Sequence, residues 1–419
     1  MSANNGERKI LLISWITGLS LLGDSMLYII LPIYWRDAGL ESIWQVGILL
    51  SINRFVRLPV NPIVGWIYGR ISLRTGLLFA VCLAGITTIG YGFANSMGVW
   101  VLLRGMWGIA WSFFRIGGLS AVVLYSPTSS RGKLMGRYNG IYRIGNLIGM
   151  LGGGLLVPIF GITSISIGFG VISLLGLPIL LSELFITEKI QARKTNHRLS
   201  EKEGFHAQQL SIIISGFFIT LLIQGIFIST FSQLIQSQYG ATFSLFGWII
   251  SASLFSGGLQ ALRWGWEPFL GSLVGSWSDG RYGRMPLYIG SLVGMGAVFS
   301  IVAHSFPLYI WSGFAVLIMI GSTFVITLTD AVAADSSKTN RAVLPFLTIY
   351  SMAQDIGAAC GPFISYLLLT AENGFYYLYT GGSIALLLLS LLWIHHYISS
   401  SHEPDRVRRN KRSRWKNTF

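Results

Sequence analysis

The stretch "GSLVGSWSDGRYGR", Gly271 to Arg284, has a partial double upstream: when the chain is slid on itself by about 210 residues, "GWIYGRISLR" (Gly65 to Arg74) falls on "GSWSDGRYGR" (Gly275 to Arg284). Under the same shift "YRIGNLIGMLGGG" (Tyr142 to Gly154) falls near "QDIGAACGPFISY" (Gln354 to Tyr366). Each copy of the first motif is a short basic turn between two long apolar runs. A repeat on this scale predicts two equivalent halves, each built from the same order of elements.

The apolar runs say what those elements are. The 419 residues are 52% hydrophobic and only 11% charged, more apolar matter than a soluble domain of this size buries. Cutting at charged and Gly/Pro/Asn clusters leaves twelve runs, at roughly 10–34, 43–67, 75–94, 97–124, 136–160, 162–186, 209–237, 243–277, 285–304, 307–334, 344–369 and 375–398. Each is long enough to cross about 30 Å of hydrocarbon as a helix. The first is too long for a secretory leader and contains Asp24, so it is read as a membrane span. The expected fold is an all-α polytopic membrane protein with twelve transmembrane helices in two pseudo-symmetric six-helix bundles. Residues 1–186 form the N-terminal bundle, 187–208 a cytoplasmic linker, 209–398 the C-terminal bundle and 399–419 a basic cytoplasmic tail.

Orientation follows from charge. The termini and the even-numbered connections hold 23 of the 30 Lys and Arg residues, and the odd-numbered connections hold one, Arg36. By the positive-inside rule both termini are cytoplasmic. The tail "DRVRRNKRSRWK" and the net charge of +14 are therefore assigned to topology and anionic lipid, and no nucleic-acid partner is expected. Cys82 and Cys360 lie apart inside apolar runs, and the six histidines form no cluster, so no metal and no cofactor is expected. No phosphate-binding loop and no nucleophile and base constellation occurs in a connection, which argues against an ATP-driven pump and against an enzyme.

With these motifs in view, the sequence resembles the major facilitator superfamily over essentially its whole length. Gly275, Asp279, Gly283 and Arg284 match the superfamily's signature loop; Gly65, Arg70 and Arg74 match its first-half copy, where Gly69 stands in place of the usual aspartate. Gly275 is expected to allow close helix approach, and Asp279 to cap or pair at a helix end. "LGDSMLYIILP" with Asp24 and Pro32, "RGMWGIA" with Arg104 and Gly108, and "GNLIGMLGG" with Gly145, Gly149, Gly153 and Gly154 are similar to motifs of its proton-coupled exporters. Met150 replaces the proline of the last motif, whereas "GAACGP" in span 11, with Gly357, Gly361 and Pro362, keeps it. Small residues at this spacing also serve simple helix packing, and the motif alone does not separate packing from a moving interface.

Charges inside the spans locate the candidate site. Arg54, Arg57, Arg104, Arg115, Arg143 and Arg263 lie within spans, with Asp24, Glu267, Asp330 and Asp355 as acidic counterparts. A charge at the bilayer centre costs at least about 2.5 to 3.5 kcal/mol, so each must be paired or face a wet cavity. Asp24, about 21 Å above the cytosolic start of span 1, and Arg104, about 10 Å below the outer start of span 4, fall at one level. They are assigned as the proton-coupling carboxylate and its tuning cation; a permanent ion pair is the competing reading.

In the resembled family spans 2 and 11, and spans 5 and 8, meet across the halves. That implies two gate pairs, Arg57 with Asp355 and Arg143 with Glu267, unless Arg57 and Arg143 stay free for substrate. Arg54 and Arg263 have no evident partner and are assigned to the substrate cavity, with carbonyl or lipid contacts as the alternative. Trp107, Trp111 and Trp264 share helices with these charges and are assigned to the cavity lining. Arg115 and Asp330 sit near the cytosolic ends, where snorkelling accounts for them.

The expected function is secondary active transport by alternating access, as proton-coupled efflux of a small organic molecule of anionic or zwitterionic character. Symport or facilitated import stays open, as does a receptor or lipid scramblase on the same scaffold. The expected setting is a plasma or bacterial inner membrane, with the chain acting as a monomer on a small-molecule substrate and protons. The orientation is testable by thiol labelling with Cys82 and Cys360 replaced by serine. A cysteine at Ser42 is expected to react with an impermeant maleimide from outside intact cells, and one at Ser72 only after permeabilisation.

Overall fold

The computed structural model describes residues 3–126, 131–182, 207–245, 247–280, 283–338 and 343–416. Of the expected linker 187–208 only the last two residues fall within it, and residues 417–419 of the expected tail lie outside it. Helices α1 (Ala3–Ile30), α2 (Trp44–Tyr68), α3 (Leu73–Tyr91) and α4 (Met97–Tyr125) are the first four spans. Span 3 starts on a cap in which the Ser72 hydroxyl accepts the Thr75 amide at 3.1 Å. Spans 5 and 6 run together as α5 (Arg131–Leu174) and part at Gly161, whose φ of 79° no other residue type adopts readily; α6 (Gly176–Leu181) follows.

Span 7 is α7 (Ala207–Thr220) and α8 (Ile228–Tyr239), joined by a π-helical segment, Leu221–Phe227. Helices α9 (Ala252–Asp279), α10 (Arg284–Phe299), α11 (Leu308–Lys338), α12 (Val343–Leu368) and α13 (Gly374–Lys416) complete the set, giving twelve spans once α5 is divided at Gly161. Eight described stretches, one of which holds both spans 5 and 6, are long and apolar enough to cross a membrane by length and composition. The spans outside that set, α2, α9 and α12, carry Arg54 and Arg57, Arg263 and Glu267, and Asp355, the charges that lower their hydropathy. Apolar side chains left exposed, such as Phe93 at 66% and Leu102 at 63%, are what the hydrocarbon covers.

Span 8 begins later than its apolar run. The expected start at 243 is instead a hairpin, β1 (Thr242–Leu245) against β2 (Trp248–Ser251), with Thr242 opposite Ser251. Gly247 at the turn has φ 84°, and Phe243, Trp248, Ile249 and Ile250 are aromatic or β-branched residues that suit a strand. Periodicity alone cannot separate so short an apolar segment from the helix that follows it.

The chain forms two compact units. One comprises residues 1–201, 220–268 and 355–375. In it α1 packs along α5, and Gly145, Gly149 and Gly153 lie against Gly18, Leu22 and Met26 of α1. A Cβ on Gly149 would stand 2.5 Å from the Leu22 carbonyl oxygen. The same unit joins elements from both sequence halves. Gly154 of α5 receives the Ser253 hydroxyl of α9 on its carbonyl at 3.1 Å, and Gly47 of α2 fits against Pro362 of α12. Gly225 of the π-helical segment meets Gly361, with the Gly357 carbonyl close by.

The other unit comprises residues 202–219, 269–354 and 376–419. Its core includes Tyr288, Trp311, Tyr379 and Trp393; the Trp393 indole donates to the Ser215 hydroxyl at 2.9 Å, tying α13 to α7. Gly149→Val is expected to destabilise the protein by about 1 to 3 kcal/mol, because the added methyls have no space between α5 and α1. Gly168→Val, at a site with no described neighbour within 4 Å, should leave thermal unfolding in detergent near wild type. Equal melting of the two variants would contradict the packing role.

Candidate functional site

The charged residues of the spans converge in the first unit. Asp24 of α1 and Arg104 of α4 form a buried ion pair, 9% and 0% exposed. Arg104 Nε also donates to the Leu49 carbonyl at 2.9 Å, and Asn53 Nδ2 donates to Asp24 Oδ1 at 3.3 Å. The approach of α2 to α4 that permits this depends on Gly108, where a Cβ would meet the Asn53 carbonyl oxygen at 2.5 Å. The pair is thus anchored by three helices, and the carboxylate holds both a cation and a neutral donor.

A second group lies on α2, α4, span 7 and α12. Arg54 donates to the Tyr28 hydroxyl at 3.4 Å and to Gln224 Oε1 of the π-helical segment at 3.3 Å. Asp355 has its ion pair with Arg115, at 3.7 Å, and not with Arg57 as expected. Arg57 is buried, is attracted by Asp355, is repelled by Arg54 and Arg115, and has a buried Nε without a hydrogen-bond partner. The reason is rotational: counting residues fixes how deep a group sits in its helix, whereas the azimuth that selects a partner depends on how the helices are turned. Arg115, expected only to snorkel, is 40% exposed at its side chain and has Asp355 as an ion-pair partner. Asp330, in the other unit, accepts from Tyr350 at 2.6 Å and Gln354 at 3.1 Å, so it too is held by specific donors.

A third group is on α5 and α9. Arg143 donates to Glu267 Oε1 at 3.2 Å, across the two sequence halves, and Arg263, one turn before Glu267, approaches its Oε2 at 3.8 Å. Arg263 is 2% exposed, and its Nε and Nη1 have no partner. Both guanidinium groups face the Trp264 ring, Arg143 at 5.5 Å and Arg263 at 5.2 Å from its centroid. Trp264 is half-buried beside these charges, whereas Trp111, also half-buried, meets the Tyr142 ring and packs against the hydrophobic core. Trp107, expected in the lining, is 1% exposed and packed in the hydrophobic core, so it supports the wall from behind.

Asn53, Gln224 and Tyr142 were not singled out as site residues from the sequence. The usable signal was spacing: Asn53 lies one residue before Arg54, and Arg115 lies one helical turn after Trp111.

The signature loop stands apart. Arg284 pairs with Asp279 and with Asp335 and donates to the Ala331 carbonyl at 3.0 Å, while Gly283 has φ 71°. A cleft of about 590 Å³ beside it is lined by Gln208, Arg284, Pro286, Asp335 and Tyr397 among others, but its opposite charges neutralise each other. In the first-half copy Arg70 lies 3.5 Å over the Trp66 ring and Arg74 donates to the Leu181 carbonyl at 2.8 Å. Gly65 and Gly275 have no described neighbour within 4 Å of a would-be Cβ, so neither supports the expected close helix approach.

Comparison with known proteins agrees with this architecture. The family model described as Major Facilitator Superfamily matches residues 13–266 and again 213–418. The chain therefore belongs to the major facilitator superfamily, whose members are membrane transporters. Among curated relatives, the synaptic vesicular amine transporter of Rattus norvegicus is 29% identical over 130 residues, 31% of this chain and 25% of that protein. The multidrug resistance protein MdtG of Escherichia fergusonii is 27% identical over 237 residues, 53% of this chain and 55% of that protein. The matched regions thus span about a quarter to about half of the length of these relatives. The crystal structure of a bacterial homolog to human lysosomal transporter, Spinster, in an inward-facing and unoccupied conformation superposes with a TM-score of 0.72. It does so at 15% identity, covering 95% of this chain and 97% of that one.

Removing one member of the Asp24–Arg104 pair strands a charge out of water. Arg104→Gln is expected to cost about 3 to 5 kcal/mol, and the double change with Asp24→Asn to restore most of it. A double-mutant cycle on thermal unfolding reads this directly, and strictly additive losses would show that the two groups are not coupled.

Proposed function

We propose that the protein is a proton-coupled exporter of a small organic molecule with anionic or zwitterionic character, working by alternating access in a plasma or bacterial inner membrane. The carrying observation is the buried Asp24–Arg104 pair with its Asn53 donor: one carboxylate among apolar surroundings whose negative charge is matched by one guanidinium. Protonation of Asp24 cancels that match and frees Arg104, so gain or loss of one proton alters how tightly α1, α2 and α4 hold together. Residues 1–186 and 209–398 act as the two moving bundles, joined by the segment 187–208. The chain works as a monomer, with the basic tail 399–419 at the cytoplasmic membrane surface.

The Arg143–Glu267 and Arg115–Asp355 pairs join the halves in the conformation described, and their breakage accompanies the change of access. The charge inside the spans supports the cargo class: the first unit's spans carry six arginines, Arg54, Arg57, Arg104, Arg115, Arg143 and Arg263, against three carboxylates, Asp24, Glu267 and Asp355, an excess of positive charge suited to acidic groups. The vesicular amine transporters that match part of the chain are named for cationic amines, and this surplus argues against carrying that cargo over.

Inverted vesicles give the test. With an acidic interior, wild-type protein is expected to accumulate substrate against its gradient, and Asp24→Asn to lose accumulation while inserting normally and still permitting downhill exchange. Undiminished proton-driven accumulation by Asp24→Asn would sink the assignment of Asp24.

A further inference from the structure

The two arginine groups of the first unit are linked through aromatic rings, and their free donors point to a narrower cargo. At one end Arg54, Arg57 and Arg115 share a single carboxylate, Asp355, so two positive charges remain in excess. At the other end Arg143 and Arg263 share Glu267, so one remains. Arg115 and Trp111 lie one turn apart on α4, and the Trp111 ring meets Tyr142 edge-on at 5.9 Å. Tyr142 precedes Arg143, which faces the Trp264 ring at 5.5 Å. Ring contacts and neighbouring positions on α4 and α5 thus link Arg115, Trp111, Tyr142, Arg143 and Trp264 within one unit.

Each end also has donors without acceptors. Arg57 Nε is buried without a partner, as are Nε and Nη1 of Arg263, and the indole N–H groups of Trp111 and Trp264 are likewise unpartnered. Unpartnered donors out of water are costly, and a carboxylate or similar anion accepts charge-assisted hydrogen bonds from them. A flat ring between two such groups would lie against Trp111 and Trp264, where ring contacts add to burial. We propose that the cargo is an aromatic organic dianion, a planar ring bearing two acidic groups, one taken by Arg57 with Arg54 and the other by Arg263. This rests on the transport reading above and narrows its substrate class.

The test is calorimetric titration of the full chain in lipid nanodiscs with four probes: isophthalate, benzoate, glutarate and benzylammonium. Isophthalate should bind about tenfold or more tightly than benzoate, which has one acid, and than glutarate, which has no ring. Arg263→Gln should lower isophthalate affinity about tenfold while changing benzoate less than twofold, and Arg263→Lys should fall between. Trp264→Leu should bring isophthalate down toward glutarate. Thermal unfolding of each variant checks that it is folded, and the change in the ratio between probes is independent of the fraction folded.

Equal affinity for isophthalate, benzoate and glutarate, no binding of any anion, or preference for benzylammonium each overturns the inference. If proton-driven exchange of benzylammonium in the inverted vesicles depends on Asp24, the dianion class fails while the exporter reading stands. If isophthalate binds as expected but Asp24→Asn leaves its exchange unchanged, the proton assignment fails and the dianion class stands.

Discussion

A charge that must sit out of water needs an opposite charge, a donor set or a wet cavity, and this protein distributes those remedies unevenly. Asp24 and Arg104 neutralise each other, with Asn53 donating to the carboxylate and the Leu49 carbonyl accepting from Arg104. Arg104, Arg57 and Arg263 each keep buried N–H groups without acceptors. A membrane helix does not retain such groups for stability, since an apolar residue of the same size would insert more readily. What separates these arginines is charge balance: Arg104 has a carboxylate of its own in Asp24, whereas Arg263 shares Glu267 with Arg143 and Asp355 pairs with Arg115 and not with Arg57.

Two of the helices around these charges are interrupted. Span 2 contains Pro59 and Pro62 immediately after its arginines, and span 7 loosens into a π-helical segment where Gln224 reaches Arg54. Each interruption removes or lengthens backbone hydrogen bonds at mid-membrane, tolerable only where polar neighbours take up the slack. Close glycine contacts fix the surroundings: α5 lies tightly on α1, and Gly361 on Gly225. Rigid seams beside weakened helices give a scaffold in which a small change of charge at one carboxylate can alter helix pairing without melting the bundle.

Glycine placement shows that one motif serves two ends. Gly145, Gly149 and Gly153 all meet α1, within the same sequence half, whereas Gly154, on the neighbouring face of the helix, meets α9 from the other half. Packing within one half and contact with the other half are therefore not alternatives for this motif; they occupy adjacent faces of α5.

The sequence by itself determined the twelve spans, the internal repeat and which residues carry charge into the membrane. These follow from hydrophobic length and from the cost of buried charge, and both are local properties. It also placed Asp24 level with Arg104, and Arg143 level with Glu267, because depth along a helix is a count of residues. Only the tertiary structure decided that Arg115 and not Arg57 takes Asp355, that Trp107 lies in the core while Trp264 faces the charges, and that 242–251 is a hairpin. Partner choice depends on how each helix is rotated about its axis. That rotation is set by packing against neighbours distant in the chain, which no local pattern of residues encodes.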